Sequence, residues 1–310
     1  MKSDLQIFFY LGLFFSILVI CTSMTVTPSL SYSVATSFYD DFDIYDSSKW
    51  FMANGWGNGP PFGCYWLNGQ VSFSGGNMII ECEKQSIGGY DYISGEYRTN
   101  SFYHYGLYEV HMRPANGTGL MSGSLFTYTG PTDGNPWDEI DIEFLGKNTN
   151  KVQFNYFTDG KGGHEYSHDL GFDATQAFHT YAFNWSQNSI TWYVDGSPVH
   201  TATTNLPSTA GRIMMNLWPG DGSVDGWLGP FDDSILPVTA SYDWFRFTPN
   251  SLTTESTTTS SSESTFSLTT ESTTTSSSES TFGFTIPVII SSLVIIITIR
   301  KPRKDEKLKK

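Results

Sequence analysis

Three carboxyl groups at alternate positions mark the segment PWDEIDIEFLG, residues 136–146. In a β-strand, successive side chains point to opposite faces, so Glu139, Asp141 and Glu143 would share one face. The isoleucines between them would share the other face and could enter a core. Like charges on one face repel each other. An acidic exposed strand or a cation site is the plain alternative, but such a strand would more often include Lys, Thr or Ser.

Hydrolysis of a glycosidic bond with retention of configuration is a reaction that uses this arrangement. It needs a nucleophilic carboxylate and an acid/base carboxyl group about 5–5.5 Å apart. Residues four apart on a flat strand have Cα atoms about 13 Å apart, so the two side chains must lean together. We predict Glu139 as the ionised nucleophile, Glu143 as the protonated acid/base and Asp141 as a hydrogen-bond partner of the nucleophile. Neighbouring negative charge raises a carboxyl pKa and helps Glu143 keep its proton.

The elements that must position these acids are strands. Between residues 36 and 250, short runs rich in Val, Ile, Tyr, Phe, Trp and Thr alternate with Gly, Asn, Asp and Pro clusters. The segment VDGSPV at 194–199 is typical of a hairpin turn. The pattern predicts an all-β domain, a jelly-roll β-sandwich of two antiparallel sheets.

The charge of this region excludes one class of partner. Residues 36–250 carry 24 acidic and 9 basic side chains, a net charge of −15. Phosphate binding needs Lys and Arg to displace counterions, so a nucleic acid is not expected as a partner. A neutral polymer suits such a surface.

Both ends of the chain are apolar. Residues 7–21 are typical of a signal-peptide core, which predicts a signal peptide over about 1–23, with an uncleaved anchor as the alternative. Residues 282–299 carry no charge and as a helix would span about 27 Å, enough for one transmembrane helix. The basic residues 300–310 that follow predict a cytoplasmic tail, and so an extracellular domain anchored to the cell membrane.

An exact repeat separates the β-rich region from the C-terminal apolar segment. The sequence SLTTESTTTSSSESTF occupies 251–266 and again 267–282. It consists almost entirely of Ser, Thr and Glu and cannot bury a core, which predicts a disordered stalk over 251–281.

The segment WDEIDIEFLG resembles the catalytic strand of glycoside hydrolase family 16, and within it most closely that of the bacterial lichenases. The resemblance covers about residues 38–248 and includes YGLYEV, FTYTGPTDG, KVQFNY, LGFDA, FHTYAF, WYVDG, IMMNLW and YDW. It implies a substrate cleft on the concave face of the jelly roll. It also implies cleavage of β-1,4 bonds next to β-1,3 links in mixed-linkage β-glucan, by a monomer that needs no cofactor for catalysis.

The resemblance also assigns positions outside the catalytic strand. Polar positions that would hydrogen-bond glucose hydroxyls are Asn58, Glu96, Arg98, Asn155 and Asn216. Aromatic cleft positions are Phe126, Tyr128, Trp137 and Trp218. Pyranose faces are apolar and stack on aromatic rings, while their hydroxyls need polar partners. For a single aromatic residue, a place in the sandwich core is the alternative.

A structural calcium ion is a further implication of the resemblance. Asp243 matches the carboxylate ligand, and Asp41 and Gly76 match the backbone carbonyl donors. Oxygen ligands suit calcium. A buried structural Asp at 243 is the alternative.

The sequence departs from the lichenase pattern in three places. Phe157 stands where a Tyr is usual, and the loop 218–229 is one residue longer. Cys64 matches a bridged cysteine, but its partner position is Ser94, which leaves a bridge to Cys82 open.

Two other functions stay open at this point. A xyloglucan-type transglycosylase shares the catalytic strand, but its usual cysteine-bearing C-terminal extension is absent from this sequence. A non-catalytic lectin would need the fold and the aromatic residues but no intact set of three acids.

Overall fold

The structure, a computed structural model, describes residues 36–250. The segments interpreted as signal peptide, stalk, transmembrane helix and cytoplasmic tail (1–23, 251–281, 282–299 and 300–310) lie outside the described residues.

Short strands separated by turns dominate the described region, as the alternating pattern predicts. The strands are β1 Phe38–Asp40, β2 Trp50–Met52, β3 Cys64–Trp66, β4 Val71–Ser74, β5 Asn77–Ile87, β6 Tyr90–Ser94, β7 Glu96–Thr99, β8 Gly106–Arg113, β9 Leu120–Thr129, β10 Asp138–Leu145, β11 Lys151–Phe157, β12 Tyr166–Asp169, β13 His179–Trp185, β14 Ile190–Val194, β15 Ser197–Ala202, β16 Arg212–Asn216, β17 Trp218–Pro219 and β18 Val238–Pro249. The helices are α1 Asp225–Leu228 and the 3₁₀ turns Asn68–Gln70, Pro131–Asp133 and Asp233–Ile235.

These strands form two stacked sheets. The first follows the order β15-β14-β13-β8-β18-β5-β6-β3, with β1 beside β18 and β4 beside β5. The second follows the order β12-β11-β10-β9-β16-β7-β2, with β17 beside β9. Among the described strands the pairings are antiparallel, except that β3 runs parallel to β6. The prediction of an all-β jelly-roll sandwich is confirmed.

The core lies between the two sheets and takes the inward residue of each alternating pair. From β10 it receives Ile140 and Ile142, which pack with large side chains of the opposite sheet such as Tyr181 and Trp192. The Trp192 indole Nε1–H donates to the Asp141 backbone carbonyl at 3.1 Å. Burial of aromatic rings in this way removes large apolar areas from water and fixes the position of β10.

The hairpin predicted at 194–199 joins β14 to β15. Asp195 and Gly196 both adopt positive φ, 46° and 75°, which is the geometry of a type I′ turn. The Asp195 carboxylate accepts a hydrogen bond from the Thr180 backbone N–H at 2.9 Å, which attaches the turn to β13.

The two cysteines among residues 36–250 are both buried and free. Cys64 lies on β3 and Cys82 on β5, and β6 lies between these strands. Two strand spacings amount to about 9.5 Å, more than the roughly 7 Å between Cα atoms that a disulfide tolerates. The bridge left open by the sequence is therefore not made in this fold.

The localisation prediction needs a correction. Over residues 36–250 the longest α-helix is the four-residue α1, and none is long and apolar enough to cross a membrane. The prediction of a domain held at the membrane by a C-terminal helix is therefore not supported, and its segment 282–299 lies beyond the described part of the chain.

Candidate active site

The three acids of the sequence motif lie on β10, near the middle of the second sheet. The strand pairs with β9 on one side and β11 on the other, in unbroken register from Glu139 to Glu143. The register shifts only after Glu143, before Leu145. Glu139, Asp141 and Glu143 share the outer face of the sheet, and the isoleucines between them are fully buried on the core face.

Each acid of this row has a hydrogen-bond partner. The Trp137 indole Nε1–H donates to Glu139 Oε2 at 2.5 Å. Gln153 Nε2, directly across from Glu143 on β11, donates to Glu143 Oε2 at 2.9 Å. Asp141 is only 2% exposed and shares a side-chain hydrogen bond with Glu139. Donors from neighbouring residues therefore hold the two glutamates, and the hydrogen bond between Asp141 and Glu139 connects the acids to each other.

The pKa values of the row are all raised, chiefly because the cleft takes the carboxyl groups out of water. Burial raises the pKa of Glu139 to about 7, against the lowering effect of the hydrogen bonds from Trp137 and Asp141. Burial and then the charge of Glu139 raise the pKa of Glu143 to about 8. The pKa of Asp141 lies well above its ordinary value, through burial and the charges on both glutamates.

The causes of these raised pKa values distinguish the three acids. Burial and the charges of both glutamates favour the protonated form of Asp141, which shares a hydrogen bond with Glu139. The charge of Glu139 helps to raise the pKa of Glu143, so a carboxylate at Glu139 favours a protonated Glu143. This division of states is what a nucleophile and a general acid require.

A cavity of about 530 Å³ opens over this row. Its walls are Pro61, Phe62, Trp137, Glu139, Asp141, Glu143, Gln153, Asn155, Phe157, Glu165, Trp218 and Trp227. A smaller adjoining cavity continues across β9, and its walls include Met121, Ser124, Phe126 and Asn216. Together they form a cleft across the strands, with aromatic rings on both sides of the acids.

Aromatic pairs form the walls of this cleft. Trp137 stacks on Phe157, with ring centroids 5.0 Å apart and planes inclined by 14°. On the other side Phe62 packs against Trp218, with centroids 4.4 Å apart, and Trp227 follows at 6.1 Å from Trp218. The Trp227 indole Nε1–H donates to Gln153 Oε1 at 3.2 Å, which connects the loop 218–229 to the partner of Glu143. Flat apolar walls of this kind suit the faces of sugar rings.

Polar side chains continue the cleft toward β16 and β7. Asn216 donates to Glu96, and its Oδ1 accepts from the Ser124 hydroxyl at 2.8 Å. Burial raises the pKa of Glu96 to about 7, although Arg98 lies 3.7 Å away and lowers it. Asn155 is buried in the cavity wall, and its Oδ1 has no hydrogen-bond partner within the protein. A buried unpaired acceptor at a cavity surface is a ready position for a ligand hydroxyl.

The structure brings most of the predicted site residues together. The acids, Trp137, Asn155 and Trp218 line the main cavity, and Phe126 and Asn216 line the adjoining one. Tyr128, Glu96 and Arg98 occupy the same sheet face through the pairings of β9, β16 and β7. Asn58 lies farther out, in the loop after β2, where its Oδ1 accepts from Trp56 Nε1 at 3.2 Å.

Sequence reasoning missed four residues of the cavity. Gln153 could have been found, because it alternates with Asn155 and Phe157 along β11. Pro61, Phe62 and Glu165 come from loops, and their sequence surroundings give no signal of the cleft.

Asp138 had no role in the sequence reasoning, yet it supports the site from the core side. Its carboxylate accepts three backbone N–H groups, from Asp159 at 3.0 Å and from Ser208 and Thr209 at 2.9 Å each. It therefore ties two loops to the start of β10.

The residues expected to hold calcium lie on the other sheet. Asp243 lies at the register shift of β18, and its Oδ2 is 2.7 Å from His111 Nδ1. Asp41 and Asp243 both act on Tyr39, whose pKa is raised by burial and by these charges, so the two acids lie in one neighbourhood. Over the described residues no group of three or more His, Cys, Asp or Glu side chains is placed to hold a metal ion. Asp243 is the only carboxylate expected to bind the ion, and one of its two oxygens already contacts His111.

The geometry of fold and cleft agrees with comparisons against known proteins. The model of the glycosyl hydrolases family 16 matches residues 58–246, and the chain belongs to this family. It is 55% identical over 218 residues to a beta-glucanase of Brevibacillus brevis, covering 70% of this chain and 83% of that protein. It is 52% identical to a beta-glucanase of Bacillus subtilis strain 168, covering 76% of this chain and 94% of that protein.

Solved structures give the same assignment. One is the beta-glucanase of Bacillus licheniformis, with 52% identity, a TM-score of 0.65 and coverage of 69% of this chain and 98% of that one. Another is a prokaryotic beta-1,3-1,4-glucanase (lichenase) from a mouse hindgut metagenome, with 49% identity, a TM-score of 0.67 and coverage of 69% and 100%.

Proposed function

We propose that this protein is a retaining endo-β-glucanase that hydrolyses β-1,4 bonds next to β-1,3 links in mixed-linkage β-glucan. The observation that carries the proposal is the row of three acids on β10, with its raised pKa values and its aromatic cleft. The similarity to beta-glucanases and to a lichenase supports the choice of substrate.

Bond cleavage begins with Glu139 as a carboxylate and Glu143 as an acid. Glu139 attacks the anomeric carbon, the bond to the leaving sugar breaks, and Glu143 gives its proton to the departing oxygen. The product of this step is a glycosyl ester on Glu139. The N–H of Trp137 and the carboxyl proton of Asp141 hold the nucleophile in place throughout.

Hydrolysis of the ester uses the same residues in reversed roles. Esterification removes the negative charge of Glu139, and that charge is one of the causes of the raised pKa of Glu143. Glu143, now a carboxylate, takes a proton from water, and the resulting oxygen attacks the anomeric carbon. The ester bond breaks, Glu139 returns as a carboxylate, and Glu143 is again an acid.

The cleft walls supply binding and orientation. Sugar faces stack on the rings of Trp137, Tyr128, Phe126 and Trp218, while hydroxyls reach polar groups farther along the face. We assign Asn58, Glu96, Arg98, Asn155 and Asn216 to those hydroxyl contacts. Phe157 supports Trp137 by stacking but offers no hydroxyl, so this chain lacks one polar contact that a Tyr would make.

The linkage requirement follows from the shape of the substrate. A β-1,3 link bends the glucan chain, and the proposed cleft holds that bend beside the reacting sugar. Straight cellulose has no such bend, so its binding energy is not used at the transition state. Pure β-1,3-glucan has bends but no β-1,4 bond.

Comparison of four polymers tests the proposal. The purified protein should release mostly tri- and tetrasaccharides from barley β-glucan or lichenan, and leave laminarin and carboxymethyl cellulose nearly untouched. Xyloglucan with a labelled sugar acceptor distinguishes transglycosylation from hydrolysis. Comparable turnover of laminarin and barley β-glucan would refute the linkage assignment, although it would leave the retaining mechanism intact.

A structural calcium ion belongs to the proposal as a separate element, with no part in the chemistry. The free carboxylate oxygen of Asp243, with the backbone carbonyls of Asp41 and Gly76, would hold it and stabilise the β1–β18 edge. Calcium should then raise the melting temperature relative to EDTA, as any ligand of the native state does. Asp243→Asn should remove that difference. Equal melting temperatures of the parent protein in calcium and in EDTA would rule out the calcium site.

A further inference from the structure

A line of directly paired residues crosses the second sheet from the catalytic strand to its outer edge. Asp141 pairs with Phe126, Phe126 with Met214, Met214 with Arg98, and Arg98 with Phe51. Directly paired residues in antiparallel strands point to the same face. Phe51, on edge strand β2, therefore lies on the same face as the catalytic acids, four strand spacings or about 19 Å away.

The Phe51 side chain is exposed on that face. Its neighbours on β2, Trp50 and Met52, turn toward the core, whereas Phe51 is 38% exposed. Its ring lies 6.1 Å from the ring of Trp56, with the planes inclined by 18°. The Arg98 guanidinium lies over both rings, 5.0 Å from the centroid of Phe51 and 5.4 Å from that of Trp56. We refer to Phe51, Trp56 and Arg98 as the edge platform.

The edge platform combines the chemistry that binds a sugar ring. Two nearly parallel aromatic rings offer apolar area, and the guanidinium holds them in place while its N–H groups can donate to hydroxyls. Asn58 adds polar atoms beside Trp56, to which it is already hydrogen-bonded. Arg98 also lies 3.7 Å from Glu96, so the platform continues directly into the polar part of the cleft.

We propose that Phe51 forms an outer sugar-binding position at the edge of the sheet, where it binds a glucosyl unit of the same β-glucan chain that occupies the cleft. This proposal rests on the proposed function. Phe51 acts on the affinity for long chains and takes no part in bond cleavage, because it lies far from the reacting atoms. The edge strand has only three residues, which makes it a poor template for pairing with a second copy.

Binding to a series of oligosaccharides tests this position. The Glu139→Gln variant, which should bind without cutting, is titrated calorimetrically with mixed-linkage gluco-oligosaccharides lengthened by one glucose at a time. Affinity should rise with length until the chain reaches β2. Adding Phe51→Ala should remove the final rise, which lowers the affinity for the longest ligands about tenfold. The affinity for short ligands should stay unchanged. Phe51→Trp should restore it.

Tyr39→Ala is the matched control, since Tyr39 is an exposed aromatic residue on edge strand β1 of the other sheet. It should not alter the affinity at any length. An equal loss of affinity at every length on Phe51→Ala would assign Phe51 a structural role and overturn the proposal. Unchanged affinity for the longest ligands, or a loss of self-association in its place, would overturn it too. Failure of the parent protein to bind or cut any mixed-linkage glucan would instead count against the proposed function.

Discussion

The carboxyl groups of the cleft and those of the surface loops behave in opposite ways. In the cleft, the pKa values of Glu96, Glu139 and Glu143 are raised to about 7, 7 and 8, first of all by burial. In the loops, the pKa values of Asp46 and Asp221 are lowered, first of all by hydrogen bonds from the hydroxyls of Ser48 and Ser223. All of these side chains are carboxylic acids, and their surroundings decide whether the pKa is raised or lowered.

This contrast shows two uses of an acidic composition. Loop carboxylates accept hydrogen bonds from residues two positions later, which stabilises turns between strands. Cleft carboxyl groups are removed from water, which destabilises their charged forms and adjusts them to reaction near neutral pH. Four predictions test this contrast, from the largest expected effect to the smallest.

Loss of either proposed reacting glutamate should have the largest effect on activity. Glu139→Gln and Glu143→Gln should each lower kcat on barley β-glucan by at least about 10³-fold, because each removes a group that reacts covalently or transfers a proton. Circular dichroism should show an intact fold. Asp46→Asn, at a loop carboxylate, should leave kcat unchanged.

Azide then distinguishes the two roles. It should restore activity to Glu139→Ala with an α-glycosyl azide as product, since it replaces the missing nucleophile on that face. With Glu143→Ala it should intercept the glycosyl ester and give the β-glycosyl azide. The reverse pattern of products would exchange the two assignments.

The cleft acids should also lower stability as the pH rises. The pKa of Glu143 is higher in the folded protein than in the unfolded chain, so the folded state binds more protons between about pH 4.5 and 8. Its contribution to stability is therefore lost across this range. Glu143→Gln should raise the free energy of unfolding at pH 8 by roughly 3 kcal/mol, and change it little at pH 4.

Chemical denaturation at the two pH values measures this difference. Asp46→Asn is the control of opposite sign, because a lowered pKa stabilises the folded state at high pH, so this variant should gain nothing at pH 8. Equal stability of Glu143→Gln and the parent protein at pH 8 would mean that the cleft does not desolvate Glu143.

Two neighbours of Glu143 should shift the alkaline limb of the pH–activity profile in opposite directions. Gln153 lowers the pKa of Glu143 by hydrogen bonding, and the charge of Glu165 raises it. Gln153→Ala should therefore move the limb to higher pH, and Glu165→Gln to lower pH, with changes in kcat/KM of about threefold on that limb. Asp232→Asn, on an exposed loop, should leave the profile in place. Shifts of the same sign in both variants would contradict the assignment of Glu143 as the acid.

The row of three acids on one strand face could be predicted because its signal is local. Alternation of Glu139, Asp141 and Glu143 with isoleucines specifies a strand with one apolar and one acidic face, whatever strands lie beside it. The same logic predicted the hairpin at Asp195 and Gly196, since a type I′ turn needs residues that tolerate positive φ. The family resemblance then supplied positions such as Glu96 and Asn216, which local pattern alone does not mark.

The rest of the site depended on which distant segments meet. Trp227 and Gln153 are 74 positions apart in sequence yet hydrogen-bonded, and Phe51 shares the face of the three acids only through the pairing of β2 with β7. The raised pKa values of Glu139 and Glu143 likewise arise from burial beneath walls contributed by several loops. The sequence by itself determined the strand, its two faces and the kind of chemistry, because these follow from side-chain alternation and residue type. Only the tertiary structure decided the neighbours, the burial and hence the protonation states, because desolvation and register depend on contacts between residues far apart along the chain.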